Sequence, residues 1–360
     1  MASISLDTVG KRYGDLQAVN SVDANIKDGE FICIVGPSGC GKTTTLRIIA
    51  GLEEVSDGDV MFGDYNVTND PPKKRNVGMV FQNLALYPHM TVRENMDFGL
   101  KINNVSQSER TERINDAAKM LDIEGLLDRN PGELSGGQQQ RVAIGRTIVL
   151  NPEVFLLDEP LASLDAKLRV EIREELQELH RQVGVTTVYV THDQEQAMTM
   201  SDRVIVMKDG KIQQFAPPKE LYNSPNNEFV AHFIGTPSMN FFDCEVVEEN
   251  GDALVDLDFT KLKLGASTSN RNLVSKKTLR IGIRPEHINL QTADDQSFKS
   301  SIKFIEPTGK DKIVHLTIDG SEFKAIVPGD MNVDASQTVR TSISSNKVHI
   351  FDPDTGKCIH

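Results

Sequence analysis

Two Gly-rich stretches in this chain could each hold a phosphate. The first, GPSGCGKT at 36–43, fits the pattern G-x-x-x-x-G-K-[ST]. Gly36, Gly39 and Gly41 let the backbone wrap until its N–H groups point inward at phosphate oxygens. Lys42 is then expected to reach the β- and γ-phosphates and Thr43 to hold Mg²⁺, with Pro37, Ser38, Cys40 and Thr44 completing the cradle. The second stretch, LSGGQQQR at 134–141, places Ser135, Gly136, Gly137 and Gln138 at a helix start, another position that favours anions. Its plainest reading is a helix cap. That cap need not face this chain's own loop: in a head-to-tail pair, each would close over the other copy's ATP from the far side.

Acids and a histidine complete the set. EVFLLDEP ends an apolar strand in two carboxylates. Beside the first loop, Asp158 would partner Mg²⁺, and Glu159 would lie near the γ-phosphate and polarise an attacking water. The bland alternative is a pair of acids that only end a strand before Pro160. His192, in TTVYVTHDQEQA, follows another strand at the sheet edge where α/β proteins bind ligands. It could hydrogen-bond the γ-phosphate or the water, although a lone histidine is more often structural. Gln82, just after NVGMVF, stands at a similar edge. Cys40 is either a small filler or a thiol whose alkylation blocks ATP by bulk.

These residues need a scaffold. FICIV (31–35), NVGMVF (76–81), EVFLLD (153–158), TTVYVT (186–191) and DRVIVMKDG (202–210) read as strands, and TTTLRIIAGL reads as a helix ending near Gly51. Strands alternating with helices predict an α/β fold with a mostly parallel sheet covered on both faces, and GPSGCGKT between a strand and a helix predicts a P-loop ATPase core. TVRENMDFGLKI and SQSERTERINDAAKMLDI have helical periodicity and predict a helical insertion at about 83–150. Ser106 with Glu109 reads as a capping box. Past Gly235, segments such as TLRIGIRPEHINL and SIKFIEPTGKDKIVHLTIDG alternate apolar and polar residues between turns, which predicts an all-β domain of small barrels. The expected domains are therefore 1–235 and 236–360.

Composition narrows the partners. The 360 residues carry a net charge of −13, which argues against nucleic acid or an anionic membrane bound through a broad basic face. The four cysteines are scattered, without a CxxC pair, and read as free thiols in a reducing cytosol. No signal-peptide core and no run of about 18 apolar residues is present, so the chain is not expected to span a membrane, although it can sit on a membrane protein.

GPSGCGKT, Gln82, LSGGQQQR, FLLDEP, SLD ending at Asp165 and THD with His192 occur in one order. Together they resemble the ATP-binding-cassette ATPases over about residues 3–235. The resemblance implies that Tyr13 in KRYGD stacks on adenine and that Gln82 senses both nucleotide and membrane partner while joining Thr43 and Asp158 around the metal. It also implies a head-to-tail homodimer with two ATP at its interface, lined by Ser135, Gly136, Gly137, Gln138 and Asp165. NVGMVFQNLALYPHMTVRENMDFGLK and GTPSMNFF are similar to the maltose-type importer ATPases for sugars and glycerol phosphate. GIRPEHI (282–288), FIEPTGKD (304–311), VPGD (327–330) and HIFDPDTGK (349–357) are similar to their regulatory domain of oligonucleotide-binding (OB) type barrels.

That family implies carbohydrate uptake, two integral-membrane permease subunits, an extracytoplasmic solute-binding protein and a place on the cytoplasmic face of the cell membrane. The tail either enlarges the dimer interface or docks a cytosolic regulator. The same machinery importing polyamine, sulfate or ferric iron is the alternative, and a soluble cassette ATPase unlinked to transport is a further one. One departure is visible: PLASLDAKLR has Ala162 and Ser163 where the subfamily has Ser-Asn, while Asp165 is kept.

Overall fold

Unbroken apolar strands need cover on both faces, and the apolar runs of the first part obtain it by joining one largely parallel sheet. The computed structural model describes residues 2–162, 164–249, 252–263, 278–290 and 297–359, and divides into two compact units, Met1–Lys219 and Glu220–His360. Ser163 lies outside the described residues.

The first unit opens with β1 (Ile4–Tyr13), β2 (Leu16–Ile26), β3 (Phe31–Val35), α1 (Lys42–Ala50), β4 (Asp57–Phe62), β5 (Tyr65–Asn66), α2 (Pro72–Arg75) and β6 (Val77–Val80). It continues through α3 (Val92–Ile102), α4 (Gln107–Met120), α5 (Gly136–Ile148), β7 (Val154–Asp158), α6 (Ala166–Val183), β8 (Thr186–Val190), α7 (Gln194–Met200), β9 (Arg203–Lys208) and β10 (Lys211–Ala216). The main sheet runs β10-β9-β3-β8-β7-β6, parallel except for the edge strand β10. Every residue of β3, β7 and β8 is buried. A second, antiparallel sheet runs β2-β1-β4-β5.

The helix that follows the phosphate loop is fixed at both ends. α1 lies between Gly41 and Gly51, both left-handed at φ 104° and 73°. At its far end Arg75, 4% exposed, donates to Ile48 O (2.7 Å), Ile49 O (2.9 Å), Asp70 O (2.8 Å) and Thr68 O (2.9 Å). One guanidinium thus satisfies helix-end carbonyls that lack an intrahelical donor. A Cβ on Gly51 would lie 2.6 Å from Arg75 Nε. In the helical segment, Thr91 and Glu94 form a full capping box on α3. On α4 only half of the expected box forms. Ser106 accepts from Glu109 N at 3.4 Å, but the Glu109 carboxylate turns to Arg113 at 2.5 Å, one helical turn on.

α8 (Pro218–Asn223) begins at the division between the units. It is followed by α9 (Glu228–Phe233), β11 (Asn240–Glu249), β12 (Asp252–Asp256), β13 (Lys261–Lys263), β14 (Thr278–Ile283), β15 (Ile288–Leu290), β16 (Phe298–Pro307), β17 (Asp311–Ile318), β18 (Ser321–Pro328), β19 (Thr338–Ile343) and β20 (Val348–Phe351). Two five-stranded antiparallel sheets result, β13-β12-β11-β14-β20 and β15-β19-β16-β17-β18. They share one core that includes Phe242, Leu279, Val314 and Phe323. Arg284, 1% exposed, donates to Tyr222 O (3.0 Å), Ala231 O (3.0 Å) and Ile234 O, which ties α8 and α9 to the β-rich unit.

Arg75→Met keeps most of the volume but removes this donor from four carbonyls, of which Ile48 O retains the Gly51 N–H at 3.1 Å. We expect it to destabilise the first unit by about 3 kcal/mol, read from the midpoint of urea unfolding.

Candidate nucleotide-binding site

The loop after β3 can close only with glycine at two positions. A Cβ on Gly36 (φ 156°) would lie 2.3 Å from Met207 O, and one on Gly41 (φ 104°) would lie 2.5 Å from Ala18 O. Gly41 offers α1 no side-chain cap, so the first amides of that helix are left to an anion. Pro37, Ser38 and Gly39 are exposed, and Thr44 is half-buried. Lys42 is 7% exposed and folds back, donating to Gly36 O (2.9 Å) and Pro37 O (3.1 Å). Cys40 is buried, and burial pushes its thiol up from the ordinary value.

Thr43 and Asp158 meet across the sheet edge. Thr43 Oγ1 donates to Asp158 Oδ1 at 3.1 Å. Burial raises the Asp158 carboxyl above the ordinary carboxylate value, while the Thr43 hydroxyl and the positive charge of Arg47 and Lys42 pull against it. Thr43, Asp158, Gln82, Arg47, Phe81, Asn83 and Ala162 line a cleft of about 550 Å³. Arg47 was not singled out in the sequence, although its spacing of four from Thr43 on α1 puts both on one helix face.

Glu159 follows Asp158 with φ 45°, a conformation costly for a residue with a Cβ. Its N–H donates to Val190 O at 3.0 Å, and its Oε2 stands 3.3 Å from His192 Nδ1. The chain around His192 is fixed from beneath. Tyr189 OH donates to Gln196 Oε1 (2.6 Å), Gln196 Nε2 to Asp193 Oδ2 (2.9 Å), and Asp193 N to Thr191 Oγ1 (3.0 Å). Asp193 also caps α7 by accepting from Gln196 N at 3.1 Å. This network was missed in the sequence; the Asp-x-x-Gln spacing was its signal.

Other expected residues stand elsewhere. Tyr13, 45% exposed at the end of β1, lies by Thr44 and Glu53, with Lys11 Nζ 5.1 Å from its ring centre. Ser135 caps α5, accepting from Gln138 N (3.3 Å), while Gln138 Oε1 accepts from Ser135 N (3.0 Å). A Cβ on Gly137 would be 2.9 Å from Leu168, and one on Gly136 would be 3.2 Å from Leu164. Asp165 caps α6 by accepting from Leu168 N at 3.0 Å. Lys42, Thr43, Asp158 and Gln82 therefore gather at the end of the phosphate loop, and Glu159 and His192 form a pair. Ser135 to Gln138 and Asp165 instead cap two helices that pack on each other.

Residues 19–162 match the family profile of the ABC transporter, 235–288 that of the MalK OB fold domain, and 281–351 that of the TOBE domain. The sulfoquinovosyl glycerol transport ATP-binding protein SmoE of Agrobacterium fabrum is 47% identical over 361 residues, with 100% of each chain covered. The chain belongs to the ABC transporter ATP-binding proteins. The trehalose/maltose import ATP-binding protein MalK of Thermococcus litoralis is 45% identical, again with 100% of each covered. A bacterial ABC transporter cassette, solved as a dimer, matches with a TM-score of 0.54 and 36% identity over 60% of this chain and 98% of its own. As an ABC ATPase the chain binds ATP and hydrolyses it for transport. The β-rich region expected from the sequence is its OB and TOBE part.

The raised carboxyl of Asp158 gives a pH test. A carboxyl raised in the folded state binds more protons than it does unfolded, so its ionisation costs stability as pH rises through that window. We expect Asp158→Asn, which still accepts from Thr43, to raise the melting temperature of the nucleotide-free chain at neutral pH. The gain should vanish as pH falls towards the ordinary value of 3.8.

Proposed function

We propose that this ABC ATPase energises uptake of a carbohydrate: an oligosaccharide, a sugar or glycerol phosphate. Support for the solute class comes from full-length likeness to relatives named for import of such solutes. Support for the chemistry comes above all from Glu159, held in a left-handed turn beside Asp158 and 3.3 Å from His192. Residues 1–235 would form the ATPase domain, with a helical subdomain at about 83–150, and 236–360 the regulatory domain.

Lys42 would exchange the carbonyls of Gly36 and Pro37 for β- and γ-phosphate oxygens. Tyr13 would carry the adenine, and the amides of 39–44 the phosphates. Thr43 Oγ1, Asp158 Oδ1 and the Gln82 amide fit Mg²⁺, a hard cation that takes oxygen ligands. Phosphate oxygens would complete the shell. When bound, the cation neutralises charge on the phosphates. Glu159 would orient the attacking water and draw its proton as the water oxygen bonds to the γ-phosphorus and the bridge to ADP breaks. His192 would hold Glu159 and the γ-phosphate in line.

Ser135, Gly136, Gly137, Gln138 and Asp165 would meet ATP on a second copy, since none of them lines the cleft with Thr43 and Asp158. ATP would then hold a head-to-tail homodimer. No helix among the described residues is long and apolar enough to cross a membrane. Two permease subunits would supply the span, with the ATPase on the cytoplasmic face. A solute-binding protein would act outside and a regulator would dock on the β-rich unit.

Glu159→Gln should keep ATP binding, cut turnover by about a hundredfold or more, and turn ATP-loaded chain into a dimer by light scattering. Equal turnover in parent and variant would remove Glu159 from the mechanism. Affinity purification from detergent-solubilised membranes should recover polytopic permeases whose complex shows sugar-stimulated ATPase. Recovery of ribosomes or soluble proteins alone would overturn import.

A further inference from the structure

The loop that carries Gln82 is bent in a way its own sequence does not favour. Leu84 and Ala85 are consecutive left-handed residues, at φ 58° and 46°, and neither is glycine or asparagine. Each pays a steric cost in that region, and two in succession need an external hold. The turn is tight, with Leu84 N donating to Phe81 O (2.9 Å) and Ala85 N to Asn83 O (2.7 Å). The outward carbonyls of the bend meet one side chain. Arg146 Nη2 donates to Leu84 O at 3.0 Å, and its Nη1 donates to Ala85 O. The guanidinium also stands 5.8 Å from the ring centre of Tyr87.

The other end of the loop is clamped separately. Asn95 of α3, fully buried, accepts from Tyr87 N (2.8 Å) and donates to Tyr87 O (3.1 Å), Met90 O (3.0 Å) and Thr91 O (2.9 Å). Arg146 is thus the tie between the bend and α5. Ser135 caps that same helix eleven residues earlier, roughly 16 Å along the axis. Gln82, two residues before the bend, lines the cleft with Thr43 and Asp158.

We propose that Arg146 is a positioning residue for ATP hydrolysis: its fork locks the left-handed bend at Leu84–Ala85, so that Gln82 is held over the Thr43–Asp158 cleft and moves as one body with the Ser135 end of α5. This rests on the ATPase reading of that cleft. A planar fork suits two neighbouring carbonyls, and a lysine supplies only a point charge. Partial burial lowers the Arg146 guanidinium from its ordinary value, and its bond to Leu84 O is the more sheltered of the two. Without the fork, Leu84 and Ala85 relax to ordinary φ and Gln82 leaves the cleft, while the phosphate loop keeps its shape.

The test compares the full-length parent with Arg146→Lys, Arg146→Ala, and each of these combined with Ala85→Asn, using Glu159→Gln as control. Equilibrium ATP binding, kcat, KM and melting temperature are measured for all. The expected result is a kcat lowered about tenfold in both single variants with ATP affinity within about twofold of the parent. Ala85→Asn should restore part of that kcat, because asparagine adopts the left-handed region readily. A purely structural prop would instead lower affinity, kcat and melting temperature together, with no recovery from Ala85→Asn. That outcome, or an unchanged kcat, overturns the proposal. If Arg146→Ala does not fold, the Arg146→Lys pair carries the same comparison. If Glu159→Gln leaves turnover intact, the ATPase reading of the cleft fails and the proposal with it. If Glu159→Gln abolishes turnover while the Arg146 variants match the parent, only the proposal falls.

Discussion

Asp158 pairs in register with Val190, and Val190 pairs with Ile34, so three chain turns leave the parallel sheet at one level. Val80 pairs with Leu157 and brings a fourth turn to the same edge. The phosphate loop, the loop with Gln82, the paired acids and the His192 turn all issue from that edge. No single helix or loop could gather these groups, which lie far apart in sequence. The register does so, and β3, β7 and β8, which set it, are buried along their whole length.

Arginine bonded to backbone carbonyls is the second recurring device. Arg75 ends α1, Arg146 ties the loop after β6, and Arg284 fastens α8 and α9. In each case the partners are backbone carbonyls at helix ends or in strained bends, which have no regular ladder to join. A single guanidinium with five donors can satisfy several of them at once, where an apolar side chain would leave them orphaned. The fold thus uses charge to close irregular backbone and keeps regular backbone for its apolar core.

The central strands were legible because they lie between two covered faces. FICIV, VFLLD and TTVYV are unbroken apolar or β-branched runs, and the structure places strands on them. The antiparallel strands β1, β2 and β4 were not read, because they are half-exposed, mix charges with apolar residues and carry bulges. α8 and α9, six residues each, are too short to show a helical period. At the site, Lys42, Thr43, Asp158 and Gln82 could be named because each sits in a fixed motif, whereas Arg47 and Arg146 act through helical spacing onto distant partners. The half-formed box at Ser106 shows a related limit: spacing permits a contact, and a competing cation decides it.

The nesting of the two small sheets has a consequence for how the chain acquires its shape. β14 pairs with β20, Arg280 opposite Phe351, although all five strands of the second sheet lie between them in sequence. During synthesis β14 emerges with one edge unmatched, and its partner is made only after that whole sheet has been produced. The cassette, whose strands are complete by Ala216, can be native while the β-rich unit is still waiting for an edge. Folding of that unit is therefore dominated by a long-range closure, the slow kind, and the exposed edge of β14 is the place where a newly made chain is most open to mispairing with a neighbour.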